Sequence, residues 1–301
     1  MGDFTLLSKG RPKREQVEGK VVWITGASRG IGETLAEQFA SLGAKLILSA
    51  RNVIELERVK SKIIVKYPGS NIEILPLDLA SGEEDLKGAV NQAESLFAGC
   101  GVDYMVHNAA FERPKRKAVE ETVEGLQATL KVNVLGPIIL TKLLAPFMIK
   151  RGGGNFVVMS SAAGKCPAPG QAIYSASKHA LHGYFHTLRS ELNPKGIKVT
   201  VVCPGPIETS KASEAGSSEK RHEKRVTAER CAELTTVAAT HGLKEAWISY
   251  QPVLLVMYLL QYMPTVGFWL MDKVGGNRLK AAKRKGNTYS WNLLFGEKKR
   301  A

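Results

Sequence analysis

Residues 174–178 read "YSASK", a tyrosine and a lysine four positions apart. On a helix such a pair shares one face. A Lys cation beside a phenol favours the phenolate and lowers the tyrosine from its usual value near ~10. A tyrosine tuned that way exchanges a proton near neutral pH, as general acid or base. Thirteen residues earlier, in "MSSAAGKCPAPGQAIYSASK" (159–178), stands Ser161. A strand end followed by a loop and a helix would bring its hydroxyl opposite the phenol. Tyr and Lys at this spacing also recur on ordinary helix surfaces, so the pair gains meaning only from its surroundings.

Those surroundings contain a nucleotide signature. "TGASRGIG" (25–32) lies between a β-rich run and a helical one. Its glycines allow a tight turn and close approach of a diphosphate, with helix N-terminal N–H groups facing the negative charge. The candidate cradle is Gly26, Ser28, Arg29, Gly30, Ile31 and Gly32. The spacing G-x-x-x-G-x-G differs from the commoner GxGxxG. At the end of the second strand, where an NAD site usually carries an acid for the ribose hydroxyls, "SARN" (49–52) offers Arg51 instead. Arg51 with Arg29 suits a 2′-phosphate, which favours NADP(H).

The elements that must position these groups follow from hydrophobic periodicity. Short apolar runs at 20–25, 45–49, 71–77, 102–107, 155–160 and 197–203 predict buried strands, and 245–249 a last edge strand. Helical patterns at 31–43, 83–98, 120–149 and 173–192 separate them. Strict alternation predicts an α/β fold, a Rossmann-type doubly wound parallel sheet covered on both faces. The polar segment 210–225 reads as a loop or lid. The expected organisation is a tail (1–18), a catalytic domain (19–250) and a hydrophobic, basic extension (251–301).

Taken together, TG-x-x-x-G-x-G at 25–32, "LDL" at 77–79, "HNAA" at 107–110, "KVNVLG" at 131–136, Ser161, Y-x-x-x-K at 174–178 and "CPGPIETS" at 203–210 resemble the short-chain dehydrogenase/reductase family over roughly residues 19–250. The resemblance implies that Tyr174 protonates a carbonyl oxygen as hydride arrives from nicotinamide, and acts as base in the reverse direction. It implies that Lys178 lowers the Tyr174 pKa and holds the ribose hydroxyls, that Ser161 bonds the substrate oxygen, and that Asn133 anchors a water in a proton relay. Asp78 would contact the adenine, Asn108 would line the cofactor groove, and Ile207 and Thr209 would meet the carboxamide. The family usually has glycine where this chain has Ala110, which bears on cofactor fit at that turn. His179, His182 and His186 fall at helical spacings, but with no acid beside them in the sequence, no metal site is expected.

Composition narrows the class further. The 301 residues can bury a full core, and 44% hydrophobic content with 29 glycines fits a globular α/β enzyme. Of the net charge of +14, half falls on 251–301, where nine Lys or Arg face two acids. Such a tail suits an anionic surface. The run 252–271 is free of charge and broken by Pro264 and Gly267, so it reads as partly inserted in a membrane surface, with the basic stretch to 285 on the headgroups. A nucleic-acid partner is not expected, since no recognition module accompanies the charge. The four cysteines form no CxxC pair. The tail resembles a membrane-associated branch of the family, implying an enzyme at the endoplasmic reticulum that reduces steroid, retinal or xenobiotic carbonyls, commonly as a dimer or tetramer. Relatives of that branch normally carry an N-terminal hydrophobic anchor; "MGDFTLLSKGRPKR" is too short in apolar residues to read as one, so either a different attachment or a removed anchor is expected. A nucleotide-binding scaffold with little turnover is the alternative reading, and the intact Ser161, Tyr174, Lys178 and Asn133 argue against it.

Overall fold

The computed structural model describes residues 2–208 and 225–283, with side chains through 275. Seven strands, β1 (Val21–Thr25), β2 (Lys45–Ser49), β3 (Ile72–Ile74), β4 (Tyr104–His107), β5 (Gly154–Met159), β6 (Ile197–Pro204) and β9 (Glu245–Ile248), form one parallel sheet in the order β3-β2-β1-β4-β5-β6-β9. A short parallel pair, β7 (Ile207–Glu208) and β8 (Val226–Thr227), lies beside it. The order reverses between β1 and β4, which opens the crevice where doubly wound sheets take their ligands.

Helices α1 (Phe4–Leu7), α2 (Gly30–Ser41), α3 (Val53–Lys66), α4 (Glu83–Gly99), α5 (Val123–Leu130), α6 (Gly136–Lys150), α7 (Ala172–Leu192), α8 (Ala228–Thr240), α9 (Val253–Tyr262) and α10 (Pro264–Lys283) complete the described chain. Both sheet faces are covered by apolar side chains, which is why the strands read as continuous hydrophobic runs. The buried Trp23 indole donates to Ser49 Oγ at 2.8 Å, and that hydroxyl donates to the Leu75 carbonyl at 2.6 Å. This chain of bonds ties the β1, β2 and β3 segments beside the crevice.

The structure adds α3 and α8 to the helices expected from periodicity. In α3 the buried face is only Leu56, Val59 and Ile63, while Val53, Ile54, Ile64 and Val65 lie exposed and blur the helical period. Asn52 caps its start, accepting from Glu55 N. The expected single run 120–149 is α5 and α6 joined through a π turn at Lys131–Leu135. The loop expected at 210–225 lies, but for Arg225, outside the described residues.

The described parts of both terminal segments pack against the body of the fold. Asp3 accepts from Leu6 N at 2.8 Å and from Trp247 N at 2.6 Å, and Leu6 is fully buried. Beyond residue 250, α9 and α10 meet at Pro264 as the sequence implies. Their inner faces, Val253, Leu254, Val256, Met257, Leu260, Met271 and Val274, join the same hydrophobic cluster as β5 and β6. The outer face leaves Leu255, Tyr262, Met263, Val266, Phe268 and Trp269 exposed.

Candidate active site

A groove of about 1250 Å³ runs along the crevice, lined by Gly26, Ser28, Arg29, Gly30, Ile31, Gly32, Arg51, Asp78, Asn108 and Ala110 among others. Its floor fits a dinucleotide. Gly26 sits at φ +66°, and a Cβ there would come within 2.7 Å of the Ala109 Cα. A Cβ on Gly32 would run into the Gly26 carbonyl, so the loop and α2 close up only because both lack side chains. No side chain caps the start of α2, which leaves its first N–H groups for an anion. Ala110 lies outside the left-handed region, so this turn does not require the family's glycine. Asn108 braces the loop: its Nδ2 donates to the carbonyls of Thr25 and Gly26 at 3.0 and 3.2 Å. Asp78 Oδ1 accepts from Ala80 N at 3.0 Å.

Arg58 has a part that the sequence alone does not reveal. From α3 it donates to the Ser28 carbonyl at 3.1 Å while pairing with Glu33 and Glu55. It fixes the glycine loop from outside. Arg29 and Arg51 are exposed on the groove and form no ion pair among the described residues.

Beyond the Phe111 and Val132 end of the groove stand the proton-handling groups. Asn133, buried in the π turn, accepts from Phe111 N at 2.6 Å and donates to the Phe111 carbonyl at 3.0 Å and to Ser177 Oγ at 3.1 Å. Ser177 donates in turn to the Tyr174 carbonyl at 2.7 Å. Asn133 therefore couples the groove wall to the first turns of α7. A π turn inside helix often marks such a site. Lys178 is buried, donates to the Met159 carbonyl at 2.8 Å and lies 5.5 Å from the Tyr174 ring centre. Ser161 opens the turn after β5, and its Oγ accepts from Ala163 N at 3.1 Å.

One expectation is corrected here. The sequence predicts a lowered Tyr174 pKa, yet burial, the largest influence, pushes it up, and the Glu112 charge adds to this. The Ser161 hydroxyl lies near enough to the phenol to pull the other way without prevailing. Lys178 is itself pushed down by burial, to about 8, so its cation is progressively lost as pH rises past that value. The Tyr174 phenol is thus held in its protonated form. Ile207 sits half-buried at the start of β7 and is not among the residues lining the groove, and Thr209 lies outside the described residues.

The histidines depart from expectation as well. His179 stays exposed, but His182 and His186 meet Glu245, which β9 brings from 59 residues beyond His186.

A short-chain dehydrogenase family model matches residues 20–220. The chain belongs to that family. It is 38% identical over 94% of its length to dehydrogenase/reductase SDR family member 7 of Homo sapiens, covering 86% of that protein. It is 36% identical to 11-beta-hydroxysteroid dehydrogenase A of Sesamum indicum over 65% of this chain and 54% of that one. Among solved structures, L-sorbose reductase from Gluconobacter frateurii, complexed with NADPH and L-sorbose, matches 77% of this chain and 95% of its own with a TM-score of 0.67 at 26% identity. The chain is therefore an oxidoreductase of this family with a nicotinamide-binding groove.

Proposed function

We propose that this chain is an NADPH-dependent carbonyl reductase, running also as an alcohol dehydrogenase, for lipophilic substrates such as steroids, retinal or xenobiotic carbonyls. The observation that carries the reading is the grouping of three things: the Ser161 hydroxyl near the Tyr174 phenol, buried Lys178 beside that ring, and a groove lined by Arg29 and Arg51, neither held in an ion pair among the described residues. NADPH supplies the hydride when bound. Ser161 holds the carbonyl oxygen, and Tyr174 gives that oxygen its proton. Lys178 is placed to hold the ribose, and Asn133 keeps the groove wall in register with α7. The NADPH-bound relative and the hydroxysteroid relative support cofactor and substrate class respectively. Purified protein screened for NADPH oxidation against steroid, retinoid and quinone carbonyls tests it; no turnover with any of them would sink the reading.

Membrane attachment belongs to the same reading, with the endoplasmic reticulum as its site and a homo-oligomer as its form. Only the outer face of the α9–α10 hairpin is free for lipid, because the inner face is core. Phe268 and Trp269 are half exposed beside Met263 and Val266, where rings would sit at headgroup level. Truncation at residue 250 would unpack the core, so a double Phe268→Ser, Trp269→Ser variant is the cleaner probe. The parent protein should float with anionic liposomes at low salt and the variant should float markedly less; a parent that stays at the bottom of the gradient refutes the attachment.

A further inference from the structure

Ser161 and Tyr174 ride on different elements, the turn after β5 and the helix α7, and something must hold the two in register. The turn lies flat on the helix: a Cβ at Gly164 would come 2.6 Å from Ser160 Oγ, 3.1 Å from His182 Nε2 and 3.2 Å from Lys178 Cβ. Ser160 Oγ is 2.9 Å from His182 Nε2 and donates to the Lys178 carbonyl at 3.3 Å. One residue past the turn, Lys165 Nζ reaches Glu245 Oε1 at 2.8 Å, and the Trp247 indole donates to the same oxygen. The other oxygen, Oε2, takes His186 Nε2 at 2.8 Å, with His182 Nδ1 at 3.6 Å. Arg189 Nη1 closes the set, 2.8 Å from His186 Nδ1. One carboxylate on the edge strand thus gathers the serine turn and the catalytic helix.

A divalent cation is the obvious competitor, since ligand atoms of His182, His186 and Glu245 lie within 4.8 Å of one another. The neighbours argue against it. A guanidinium has no lone pair to offer, so His186 Nδ1 must accept and Nε2 must carry the hydrogen that Glu245 takes. A metal on Nε2 would need an imidazolate, beside the Lys165 ammonium. Burial pushes the Glu245 pKa up, but its contacts with His182, His186, Lys165 and Trp247 outweigh it and hold the carboxyl well below the usual range. Burial also pushes His182 down. The ion pair at the centre of the cluster is Lys165 with Glu245.

We infer that Glu245 is a positioning residue for the reductase reaction: through Lys165 on one side and His186 on the other, it fixes the Ser161 turn against the α7 helix. The inference rests on the carbonyl-reductase reading above. Partly buried ion pairs are weak contributors to stability, because desolvation offsets their attraction; what they supply here is a fixed distance between two elements. A shift of ~1 Å between reacting groups can cost ~10²-fold in rate, and loss of a partner that orients a site residue costs ~10–100-fold.

The test uses the full-length protein with NADPH and a quinone carbonyl, comparing Glu245→Gln, Lys165→Met and Lys165→Arg. Glu245→Gln and Lys165→Met should lower kcat roughly 10- to 100-fold, with the NADPH Kd from nicotinamide fluorescence unchanged, and Lys165→Arg should recover most of the loss. Amide hydrogen exchange reads the tie without turnover: in Glu245→Gln the amides of 161–166 should exchange faster while β5 and β6 keep their protection. Wild-type kcat together with unchanged exchange in Glu245→Gln would overturn the inference. So would NADPH affinity and sheet protection falling in step with kcat, which marks a general structural role, or one equivalent of zinc in the purified protein. Should the parent reduce no carbonyl, the reductase reading fails, and the exchange comparison still decides whether Glu245 holds the turn.

Discussion

Tyr174→Phe is expected to reduce carbonyl reduction about 10²–10⁴-fold, the usual contribution of a positioned general acid, while NADPH affinity stays near that of the parent. The ring keeps its packing; only the proton is lost. Because burial and the Glu112 charge hold the phenol protonated, reduction in the parent should be level through the neutral range. The reverse oxidation, which needs phenolate, should climb as pH rises. Lys178→Ala should damage both turnover and cofactor binding, since that side chain is buried between Met159 and the phenol. Steady-state rates with a quinone carbonyl and a fluorescence titration of NADPH separate the two effects. Near-normal turnover by the Tyr174→Phe protein would remove Tyr174 from the role of acid.

The strands, the glycine loop and the Tyr–Lys pair were legible in the sequence because each is a local pattern: period, turn chemistry or helical spacing. What escaped is through-space. Glu245 meets His186 only because the parallel order places β9 next to β6, and no spacing rule spans 59 residues. Arg58 reaches the Ser28 carbonyl across the gap between α3 and the loop, and α3 itself is thinly patterned. The tail was read by its apolar run, which cannot tell core from lipid. Here the same ten-residue helix serves the core with one face and leaves Leu255 outside. The Tyr174 pKa failed for a different reason. A pairwise rule gives the sign of the lysine's effect, but burial, which the sequence does not encode locally, is larger.

Arg51→Asp should shift the enzyme from NADPH toward NADH. Both Arg51 and Arg29 line the groove and have no ion-pair partner among the described residues, so a phosphate dianion there would not compete with an existing acid. A charge-assisted bond to phosphate is worth roughly 1.5–3 kcal/mol, but exposed guanidiniums are screened, which argues for the lower end. At about 1.4 kcal/mol per tenfold, removing Arg51 should raise the KM for NADPH on the order of tenfold. The new carboxylate adds repulsion to that, while offering acceptors to the free ribose hydroxyls of NADH. Adding Arg29→Ala should extend the loss for NADPH and leave NADH little changed, because that side chain has nothing to bind without the phosphate. The ratio of kcat/KM for the two cofactors, measured at low and high salt, is the readout. A parent enzyme that uses both equally, or an Arg51→Asp variant that keeps its preference, would mean that the guanidiniums do not read the phosphate.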